Sequence, residues 1–589
     1  PDVDQVYITA VQIMTGAGGW PMNIVALPDG RPVWGGTYFR KNQWMDALQQ
    51  IAKLYQENPD QLLDYARKLQ AGLNSVQLIE PLEKEVSFDP DFMEAILKKW
   101  QSNFDYKFGG YTGAPKFMMP SNLQFLLRYA HQYKDNKIME YTLNSLEKIS
   151  FGGVYDQLEG GFSRYSVDEK WHVPHFEKML YDNAQLISLY SEAYRLTKKS
   201  WYKEVVLQSL QFIEKELTDK TGAFYSALDA DSLDKNGIKK EGAYYVWTKA
   251  ELSSILKKDF DLFAAYYNIN EYGRWEGDRY VLIRKASDKE IAEQFSISEE
   301  ILKNKKESWQ QKLLEQREER SKPGLDDKSL TSWNALMLSG YCAAYKAFKD
   351  PEFLKIAKKN AEFIEKHQIK KDGSLYHSYK NGKSSINAYL EDYAFCIEAF
   401  IALYEVSFDY DYITLAAQLT EVVASDFQDP DSTLYFFNSR KDRKLITESM
   451  EIADNGIHAS NSVMANNLFL LGKIMGRNDW VDKAEGMLKN VISRIPKHPS
   501  SYSNWLNLYL NFNSLFYEVA ITGEKARELG AEIHSNYLPN IVLAGSEKQE
   551  NSPLLKNRYK AGKNLIYVCN NGKCELPVST ISTALQLIE

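Results

Sequence analysis

The chain has 589 residues, 44% of them hydrophobic, and only four cysteines, which indicates a globular protein with a large core and no disulfide framework. Its formal net charge is −8 and no basic block occurs, so nucleic acid and anionic membrane surfaces are not expected as partners. No apolar run approaches the roughly 18 to 20 residues that cross a bilayer, and a reducing, cytoplasmic location is the default expectation. Because the chain begins at Pro1, an upstream segment with a targeting signal would also be compatible with it.

Residues 1–80 combine helical segments with a hairpin. MNIVAL and PVWGGTYF flank the turn residues Pro28-Asp29-Gly30, which is typical of a β-hairpin. Gly19-Trp20-Pro21 can hold a cis proline that enters a strand, and a helical pattern then runs to about residue 78. These features suit a partial thioredoxin-like α/β domain. Its Cys-x-x-Cys helix would lie before the first residue, since residues 1–341 contain no cysteine.

A repeat dominates residues 86–515. Six apolar helices carry an Asn or Asp in the first turn, and second helices lie between them. Twelve helices in six pairs predict an (α/α)6 toroid, with an insertion at about 220–325. The first-turn polar side chains are expected to bond free loop or helix-end groups. They are Asn122, Asn183, Asn334, Asp392, Asn461 and Asn504.

Turn residues and an aromatic segment follow most of the outer helices of this repeat. We interpret these segments as hairpin loops on the side where the next inner helix begins. The N-termini of the inner helices would then surround one mouth, whose dipoles and free N–H groups favour oxygen-rich or anionic ligands. The segments are FGGYTG at 108, FGGVYD at 151, TGAFYSALDADS at 221, DGSLYHSY at 372 and DSTLYFFN at 431.

The insertion and the C-terminal region have patterns of their own. EGAYYVWT at 241 predicts a strand, and the charged helical stretch from 286 to 320 is interpreted as a solvated surface helix. Residues 516–589 alternate strand and helix patterns and predict a small α/β domain. The overall expectation is a multidomain, mainly α protein. For Cys569 and Cys574 we expect two unpaired thiols, with a disulfide or a thiophilic ion as alternatives.

Glycines, aromatic residues and ionisable groups are densest in Phe151–Gln185, FGGVYDQLEGGFSRYSVDEKWHVPHFEKMLYDNAQ. Pro174 can occupy the first turn of a helix, so His175, Lys178 and Asp182 would share one helical face at i, i+3 and i+7. His175 is predicted to act as an acid or base or to contact substrate, and a capping or loop-bridging role is the alternative. No metal or cofactor is expected, because the histidine spacing here lacks the geometry of a paired-histidine site.

Further ionisable and aromatic residues are predicted around the same mouth. Paired carboxylates suit glycoside chemistry, whereas a histidine can abstract a proton next to a sugar carbonyl, as an epimerase or isomerase requires. The alternatives are turn formation for Asp229 and Asp231, and a helix-end charge cluster for Asp327. The catalytic candidates are His175, Asp182, Asp229, Asp231 and Asp327. The substrate-binding candidates are Tyr155, Arg164, Trp171, Lys178, Trp247, Trp333, Glu391 and Asp392.

Several long motifs resemble a known family. They include GGWPMNIVALPDGRPVWGGTYF, HFEKMLYDNA, ALDADS, DDKSLTSWNALM and YLEDYAF. On these motifs the chain resembles thioredoxin-domain-containing proteins that include bacterial YyaL-like proteins and animal spermatogenesis-associated relatives. The resemblance covers essentially the whole chain. It implies an N-terminal thioredoxin-like domain and a six-hairpin toroid similar to N-acylglucosamine 2-epimerases and cellobiose epimerases.

The sequence departs from this family in two places. The cysteine motif of the family lies upstream of Pro1, and ADNGIHASNSVMANN at 453 replaces a stretch that is usually richer in Pro, Ser and Gly. A two-histidine epimerase mechanism would also need a partner opposite His175, for which His377 and His458 are the options.

Three hypotheses follow. The first is an enzyme-like protein that binds a carbohydrate or similar polyol in the toroid mouth and acts by acid/base chemistry. The second is a redox or protein-interaction factor in which the toroid is a scaffold. The third is a non-catalytic binding module, which would be favoured if the loops plug the mouth.

Overall fold

The computed structural model describes residues 2–79 and 91–588. The N-terminal part contains the predicted antiparallel hairpin, in which Asn23 pairs with Gly36, and the Trp20–Pro21 peptide is cis. The single helix predicted after the hairpin is two helices. Pro59 starts the second one, because a proline lacks the N–H that a continuous helix would need. The elements are α1 (Asp2–Thr15), β1 (Asn23–Ala26), β2 (Pro32–Gly36), α2 (Lys41–Glu57) and α3 (Pro59–Gln77).

The N-terminal part packs against a later segment of the chain. Val6 and Ala10 of α1 and Leu73 of α3 form a small apolar cluster with Leu445 and Ile446. Backbone and side-chain hydrogen bonds continue this contact: the Met450 N–H donates to the Gln77 carbonyl (3.0 Å), and the Gln70 amide donates to the Ile446 carbonyl (2.6 Å). Residues 443–450 are therefore shared between the N-terminal part and the helical repeat.

The first half of the repeat has the predicted alternation of inner and outer helices. In this half, each of the two inner helices is preceded by one or more short strands. The elements are α4 (Phe92–Trp100), β3 (Lys116–Phe117), α5 (Pro120–Tyr133), α6 (Asn136–Phe151), β4 (Tyr165–Ser166), β5 (Pro174–His175), β6 (Lys178–Met179), α7 (Leu180–Thr197) and α8 (Ser200–Glu216).

The insertion has its own apolar core. The charged helix predicted from 286 to 320 is two helices, and the expectation of a solvated helix is wrong for one face of the longer one. Trp309 and Leu313 are fully buried there, and the Arg317 side chain lies in the interior beside Asp156. The elements are β7 (Ala227–Leu228), β8 (Asp231–Leu233), β9 (Lys239–Glu241), β10 (Trp247–Thr248), α9 (Lys249–Leu256), α10 (Phe260–Tyr266), β11 (Arg279–Tyr280), α11 (Asp288–Gln294) and α12 (Glu299–Glu318).

The second half of the repeat closes a ring. The elements are β12 (Leu325–Asp326), β13 (Ser329–Leu330), α13 (Thr331–Phe348), α14 (Pro351–Phe363), β14 (Tyr376–Lys380), β15 (Lys383–Asn387), α15 (Leu390–Ser407), α16 (Asp411–Asp426), α17 (Ser460–Met475), α18 (Asn478–Ile492) and α19 (Ser503–Asn513). In ring order the inner helices pack as α5, α7, α13, α15, α17 and α19, and α19 packs again on α5. Within the described residues this is the predicted (α/α)6 toroid.

Inner helices turn sharply into outer ones. Five of the inner helices end at a residue in the left-handed region, and the next outer helix begins two or three residues later. The left-handed residue directs its N–H back to a carbonyl of the last turn, which ends the helix without an unsatisfied group. The five residues are Lys134, Lys198, Lys349, Phe408 and Gly476.

First-turn asparagines fix the loops at the mouth. The Asn183 side chain accepts from the Phe162 N–H (2.7 Å) and donates to the carbonyls of Phe162 (3.0 Å) and Met179 (2.8 Å). Asn334 makes the same three bonds to Phe224 and Leu330, and Asn461 bonds the N–H and carbonyl of Tyr435. The expected structural role of these residues is confirmed.

The helix predicted to start at Pro174 is wrong in its first turn. Pro174 and His175 form β5 against Tyr165–Ser166, Lys178 and Met179 form β6 against Ala227–Leu228, and α7 begins only at Leu180. A proline suits the strand as well as a helix N-terminus, and the strand pairing decides between them. His175, Lys178 and Asp182 therefore do not share a helical face.

The C-terminal residues form a mixed sheet. Strands β16 and β17 are parallel and are joined by α20, while β18 pairs antiparallel with β16. The expectation of unpaired thiols is wrong, because Cys569 and Cys574 form a disulfide across the β18–β19 hairpin. The elements are β16 (Tyr517–Thr522), α20 (Ala526–His534), β17 (Ile541–Ser546), β18 (Leu565–Asn570), β19 (Lys573–Cys574) and α21 (Ile581–Ile588).

Two further points concern the sequence-based expectations. The predicted junction between residues 80 and 86 lies outside the described residues, and the division into 1–80, 86–515 and 516–589 stays a prediction. Among the helices of the described residues, none has the length and apolar character that a membrane span requires.

Replacing Asn183 by Ala is expected to lower the free energy of unfolding by roughly 2 to 4 kcal/mol, because it leaves the buried N–H and carbonyl of Phe162 without partners. Asn334→Ala should cost at least as much, since Asn334 makes the same three bonds and also accepts one from the Asn360 amide (3.1 Å). Urea denaturation followed by circular dichroism measures both. Asn504→Ala is the matched control, because within residues 2–79 and 91–588 its side chain donates only to the Ser462 hydroxyl (3.0 Å). A loss for Asn504→Ala as large as for the other two would contradict the proposed role of the loop bonds.

Candidate functional site

The mouth of the toroid is formed by the N-terminal ends of the inner helices and the short strands before them. On one side, Arg164 precedes β4, His175 lies in β5, and Glu177 precedes β6. The Arg164 N–H donates to the Glu177 carbonyl (2.9 Å), which holds the two residues side by side. Asp182 follows in the first turn of α7. Sheet pairing and the start of α7 thus bring four ionisable groups of one short stretch together.

Three of these groups form a chain of charged contacts that extends to the insertion. Arg164 Nη1 lies 3.1 Å from Glu177 Oε2, and His175 Nε2 lies 3.7 Å from the same oxygen. His175 Nδ1 lies 2.7 Å from Glu241 Oε1. The carboxylates of Glu177 and Glu241 raise the pKa of His175 above its usual value. The contact with His175, together with the Arg164 charge, lowers the pKa of Glu177.

Asp182 has the opposite electrostatic environment. Its side chain is only 6% exposed, and burial raises the pKa of its carboxyl well above that of an ordinary aspartate, although Arg164 opposes the shift. Its Oδ2 is buried and has no hydrogen-bond partner among the described residues. Asp182 therefore holds its proton more tightly than an ordinary aspartate, whereas the nearby Glu177 loses its proton more readily than an ordinary glutamate.

Two aromatic rings flank this acidic pair. The rings of Tyr181 and Trp333 meet at 4.8 Å in an edge-to-face arrangement, and both side chains are partly exposed at the starts of neighbouring inner helices. Burial raises the pKa of Tyr181, so its hydroxyl remains a hydrogen-bond donor. Trp333 was predicted as a substrate contact, and its position beside Tyr181 and Asp182 is compatible with that.

A second acidic cluster lies at the start of α15. Asp392 accepts hydrogen bonds from His377 Nδ1 (2.9 Å), the Ser332 N–H (3.0 Å) and the Tyr389 N–H (2.9 Å). Its neighbour Glu391 is 9% exposed and forms no hydrogen bond within the described residues. Burial, with added repulsion from Asp392 and Glu451, raises the pKa of Glu391 well above its usual value. Asp392 thus serves the fold, whereas Glu391 is free to contact a ligand.

Two groups of side chains are close enough to share a metal ion. Ligand atoms of His377, Glu391 and Asp392 lie within 4.8 Å of one another, and so do those of Glu159, Glu216 and Glu318. In the first group the Asp392 carboxylate already accepts two backbone N–H groups and His377. In the second group Lys215 contacts all three carboxylates. Protein contacts account for the second group and for Asp392 and His377 of the first, and the expectation of no metal stays a prediction.

A loop crosses the mouth between the two clusters. We call residues 451–459, which precede α17, the mouth loop. Helices α7 and α17 lie opposite each other in the ring, yet the Gln185 amide of α7 donates to the Gly456 carbonyl (2.9 Å), and a Cβ at position 456 would lie 3.5 Å from the Tyr181 ring. Asp454 anchors the base of the loop by accepting from the Asn504 N–H (2.9 Å) and the Ala459 N–H (3.0 Å). The mouth is therefore bridged rather than open.

Three predicted catalytic carboxylates lie on the surface of neighbouring hairpins. Asp229 and Asp231 both contact Lys239, at 3.1 and 3.6 Å. Asp231 is the cross-strand partner of Glu241, so this hairpin adjoins the contact of His175. Asp327 pairs instead with Lys380, on the sheet before α13. The structure thus brings Asp229 and Asp231 near His175 through Glu241, whereas Asp327 lies elsewhere on the rim.

Four predicted substrate contacts lie in the interior instead of at the rim. Lys178 donates to Asp156 (3.0 Å), which also binds Arg317 of α12, and all three side chains are buried. Burial alone would raise the pKa of Asp156, but the two positive charges of Arg317 and Lys178 bring it far below its usual value. Trp171, Tyr155 and Trp247 are buried as well. They contact the Phe108 carbonyl, the Gln208 side chain and the Arg320 guanidinium, respectively.

Sequence reasoning missed Glu177, Glu451 and the mouth loop. Glu177 is two positions from His175, which places both on the same face of an extended segment. The helical interpretation of Pro174 concealed that signal. The mouth loop includes ADNGI, the stretch noted as unusual for the family, although its path across the toroid has no local sequence signature.

Comparisons with known proteins agree with the motifs. Residues 1–74 match the family described as Thioredox_DsbH, protein of unknown function, DUF255. The chain is 29% identical to human spermatogenesis-associated protein 20, over 98% of this chain and 80% of that protein. It is also 29% identical to an uncharacterised protein of Caenorhabditis elegans, over 100% of this chain and 86% of the relative. The resemblance found in the sequence is confirmed.

Solved structures with some similarity include sugar enzymes. The match to a D-mannose isomerase has 11% sequence identity and a TM-score of 0.41. It covers 69% of this chain and 88% of the isomerase chain. A cellobiose 2-epimerase from Bacillus thermoamylovorans is 14% identical over 69% of this chain and 97% of its own, with a TM-score of 0.29. At such TM-scores these likenesses carry no weight for the chemistry of this chain.

The imidazole of His175 is expected to titrate above the usual value of about 6.5. The folded protein therefore binds this proton more tightly than the unfolded chain. The resulting stabilisation is full below pH 6.5 and is lost as the pH rises through the raised pKa. Glu241→Gln should lower the pKa of His175, as measured by NMR titration of 13C-labelled histidine. Glu276→Gln, on an exposed carboxylate paired with Arg279, should not. A wild-type His175 that titrates at or below 6.5 would refute the assignment.

Gln185→Ala removes the hydrogen bond that holds the mouth loop to α7. Loss of one bond of about 1 kcal/mol should speed amide exchange in residues 453–459 roughly fivefold. Hydrogen–deuterium exchange mass spectrometry measures this. Gln311→Ala, on the exposed face of α12, is the control. Unchanged exchange in the loop would show that Gln185 does not hold it.

Proposed function

We propose that this protein binds a carbohydrate or similar polyol at the toroid mouth and that Asp182 and Glu177 act there as an acid/base pair. The observation that supports this is a pair of carboxyl groups near one guanidinium, that of Arg164. The pKa of Glu177 is lowered and the pKa of Asp182 is raised. Environments that separate the pKa values of neighbouring carboxyl groups are how proteins assign acid and base roles at neutral pH.

Each group has a defined part in such a reaction. Asp182, whose raised pKa lets it keep its proton to a higher pH than an ordinary aspartate, would donate that proton to a glycosidic, hydroxyl or carbonyl oxygen. Glu177, which is ionised, would accept a proton from water or from the carbon next to a sugar carbonyl. His175 and Arg164 orient Glu177, and Glu241 holds His175. His175, predicted as the acid or base, becomes a positioning residue in this scheme.

The remaining contacts suit a polyol. The Tyr181 and Trp333 rings offer an apolar face with a hydroxyl donor, which is how proteins hold one face of a sugar ring. Glu391 would bond sugar hydroxyl groups from the other side of the mouth loop. The dipoles of α7, α13 and α15 add partial positive charge at their N-termini, which favours an oxygen-rich ligand.

A non-catalytic scaffold is the second candidate. The mouth loop, held by Gln185 on the opposite inner helix, covers part of the space that a substrate would need. This observation favours a toroid that binds a partner or supports the N-terminal thioredoxin-like part, and it calls for a test that separates binding from turnover.

A panel of monosaccharides and disaccharides provides that test. Thermal shift and calorimetry report binding, and proton NMR of the anomeric signals reports hydrolysis or isomerisation. Asp182→Asn retains a neutral side chain of the same shape, so the affinity should change by less than about twofold while turnover falls at least about 100-fold. Glu177→Gln should also abolish turnover. The rate should fall at low pH as Glu177 is protonated and at high pH as Asp182 ionises.

Glu352→Gln, on an exposed residue of the outer helix α14, is the matched control and should behave as wild type. Sugar binding without turnover would support the scaffold and refute the acid/base pair. A panel in which no sugar stabilises or reacts with the wild-type protein would refute the carbohydrate proposal itself.

A further inference from the structure

The C-terminal sheet contains a disulfide whose two sulfurs differ in accessibility. Cys569 in β18 and Cys574 in β19 lie directly opposite each other across the Asn570–Lys573 turn. Cys569 is 2% exposed, whereas Cys574 lies on the exposed second strand of the hairpin. A thiol from solution can therefore approach the Sγ of Cys574, while the Sγ of Cys569 is shielded by the sheet.

An arginine lies against both sulfurs. Arg558 Nη2 is 3.3 Å from the Sγ of Cys569 and 3.3 Å from the Sγ of Cys574. The guanidinium lies 5.2 Å from the Tyr567 ring centre, and the Tyr567 hydroxyl donates to the Arg558 carbonyl (2.8 Å). Its Nη1 is buried without a hydrogen-bond partner among the described residues. A fixed positive charge is thus held where a thiolate would form.

The other two cysteines of the chain have no such environment. Cys342 and Cys396 are free, lie inside α13 and α15, and are completely buried. Burial raises the pKa of the Cys342 thiol to about 12, and it raises that of Cys396 strongly as well. These two thiols are inert in the folded protein, whereas the Cys569–Cys574 pair has an exposed member, Cys574, and a cation beside both sulfurs.

We propose that Cys569 and Cys574 form a thiol–disulfide exchange site for low-molecular-weight thiols, with Arg558 as the residue that stabilises the departing thiolate. The site lies on the C-terminal sheet and is independent of the chemistry proposed for the toroid mouth.

The exchange balances as follows. The thiolate of the first reductant molecule attacks the Sγ of Cys574, the Cys569–Cys574 bond breaks, and its electron pair remains on the Sγ of Cys569 beside Arg558. A second reductant thiolate attacks the reductant-derived sulfur of the mixed disulfide and releases the Cys574 thiolate. Two thiols are oxidised to one disulfide, the protein disulfide is reduced to two thiols, and the two protons from the reductant are available to the cysteines. An oxidised small disulfide drives the reverse sequence.

The experiment uses the full chain and measures the rate of disulfide reduction. The oxidised protein is mixed with dithiothreitol, quenched with a maleimide at successive times, and analysed by peptide mass spectrometry. Dithiothreitol carries no charge other than that of the attacking thiolate, so the charge at position 558 acts only on the sulfurs that take part in the exchange. Reduction in Arg558→Met should be about tenfold slower than in wild type, because the leaving thiolate loses its counter-charge. Arg558→Lys should restore most of the rate.

Arg527→Met, in the same domain and paired with Glu547 on the surface, is the matched control and should keep the wild-type rate. Cys342 and Cys396 should remain unlabelled, which verifies that each variant is folded. If Arg558→Met exposes these thiols, that variant is not folded, and the role of Arg558 is judged from Arg558→Lys instead. A lysine charge at the site should keep the reduction rate within about threefold of the wild-type rate. Equal rates in wild type and a folded Arg558→Met would overturn the role of Arg558. Maleimide labelling of both Cys569 and Cys574 after equilibration with oxidised glutathione would overturn the site itself.

Discussion

Every loop that crosses the start of an inner helix contains backbone groups that leave water, and those groups must find partners inside the protein. Asn183, Asn334 and Asn461 meet this constraint in the same way, since each bonds both the N–H and the carbonyl of one aromatic residue in the preceding hairpin. The loops are therefore fixed relative to the helix N-termini. Arg164, two residues after Phe162, is one of the mouth side chains that take their position from a loop held in this manner.

The repeat was readable from sequence because the constraint recurs. An asparagine amide is a short side chain that can satisfy a donor and an acceptor at once, so it leaves a visible mark at regular spacing. The outer helices were equally clear, since their apolar periodicity and turn residues are local features. The (α/α)6 architecture could thus be predicted, together with the N-terminal hairpin and the C-terminal α/β pattern.

The site was only partly predictable, for two physical reasons. Strand pairing over two residues is decided by a distant partner, so the short strands around Pro174 and Lys178 have no signal of their own and resembled a helix. In addition, the sequence pattern of a polar residue that lines a cavity is the same as that of one in a buried ion-pair cluster. Lys178 and Asp156 illustrate this, because the buried charge that completes their cluster, Arg317, comes from more than 100 residues later. Asp182 was predicted from a helical face that the structure does not have, although it and Glu391 directly precede the first-turn residues Asn183 and Asp392.

The segment from 443 to 459 contacts both the N-terminal part and helix α7, and it lies hundreds of residues after each of them in the sequence. Met450 bonds Gln77 at the N-terminal part, and Gly456, six positions later, bonds Gln185 across the toroid. A ligand or partner that shifts the N-terminal part therefore acts on a chain that also bridges the mouth. Thermodynamic linkage makes such an effect reciprocal. If binding at the N-terminal part changes the affinity of the mouth for its ligand, binding at the mouth changes the affinity of the N-terminal part by the same factor.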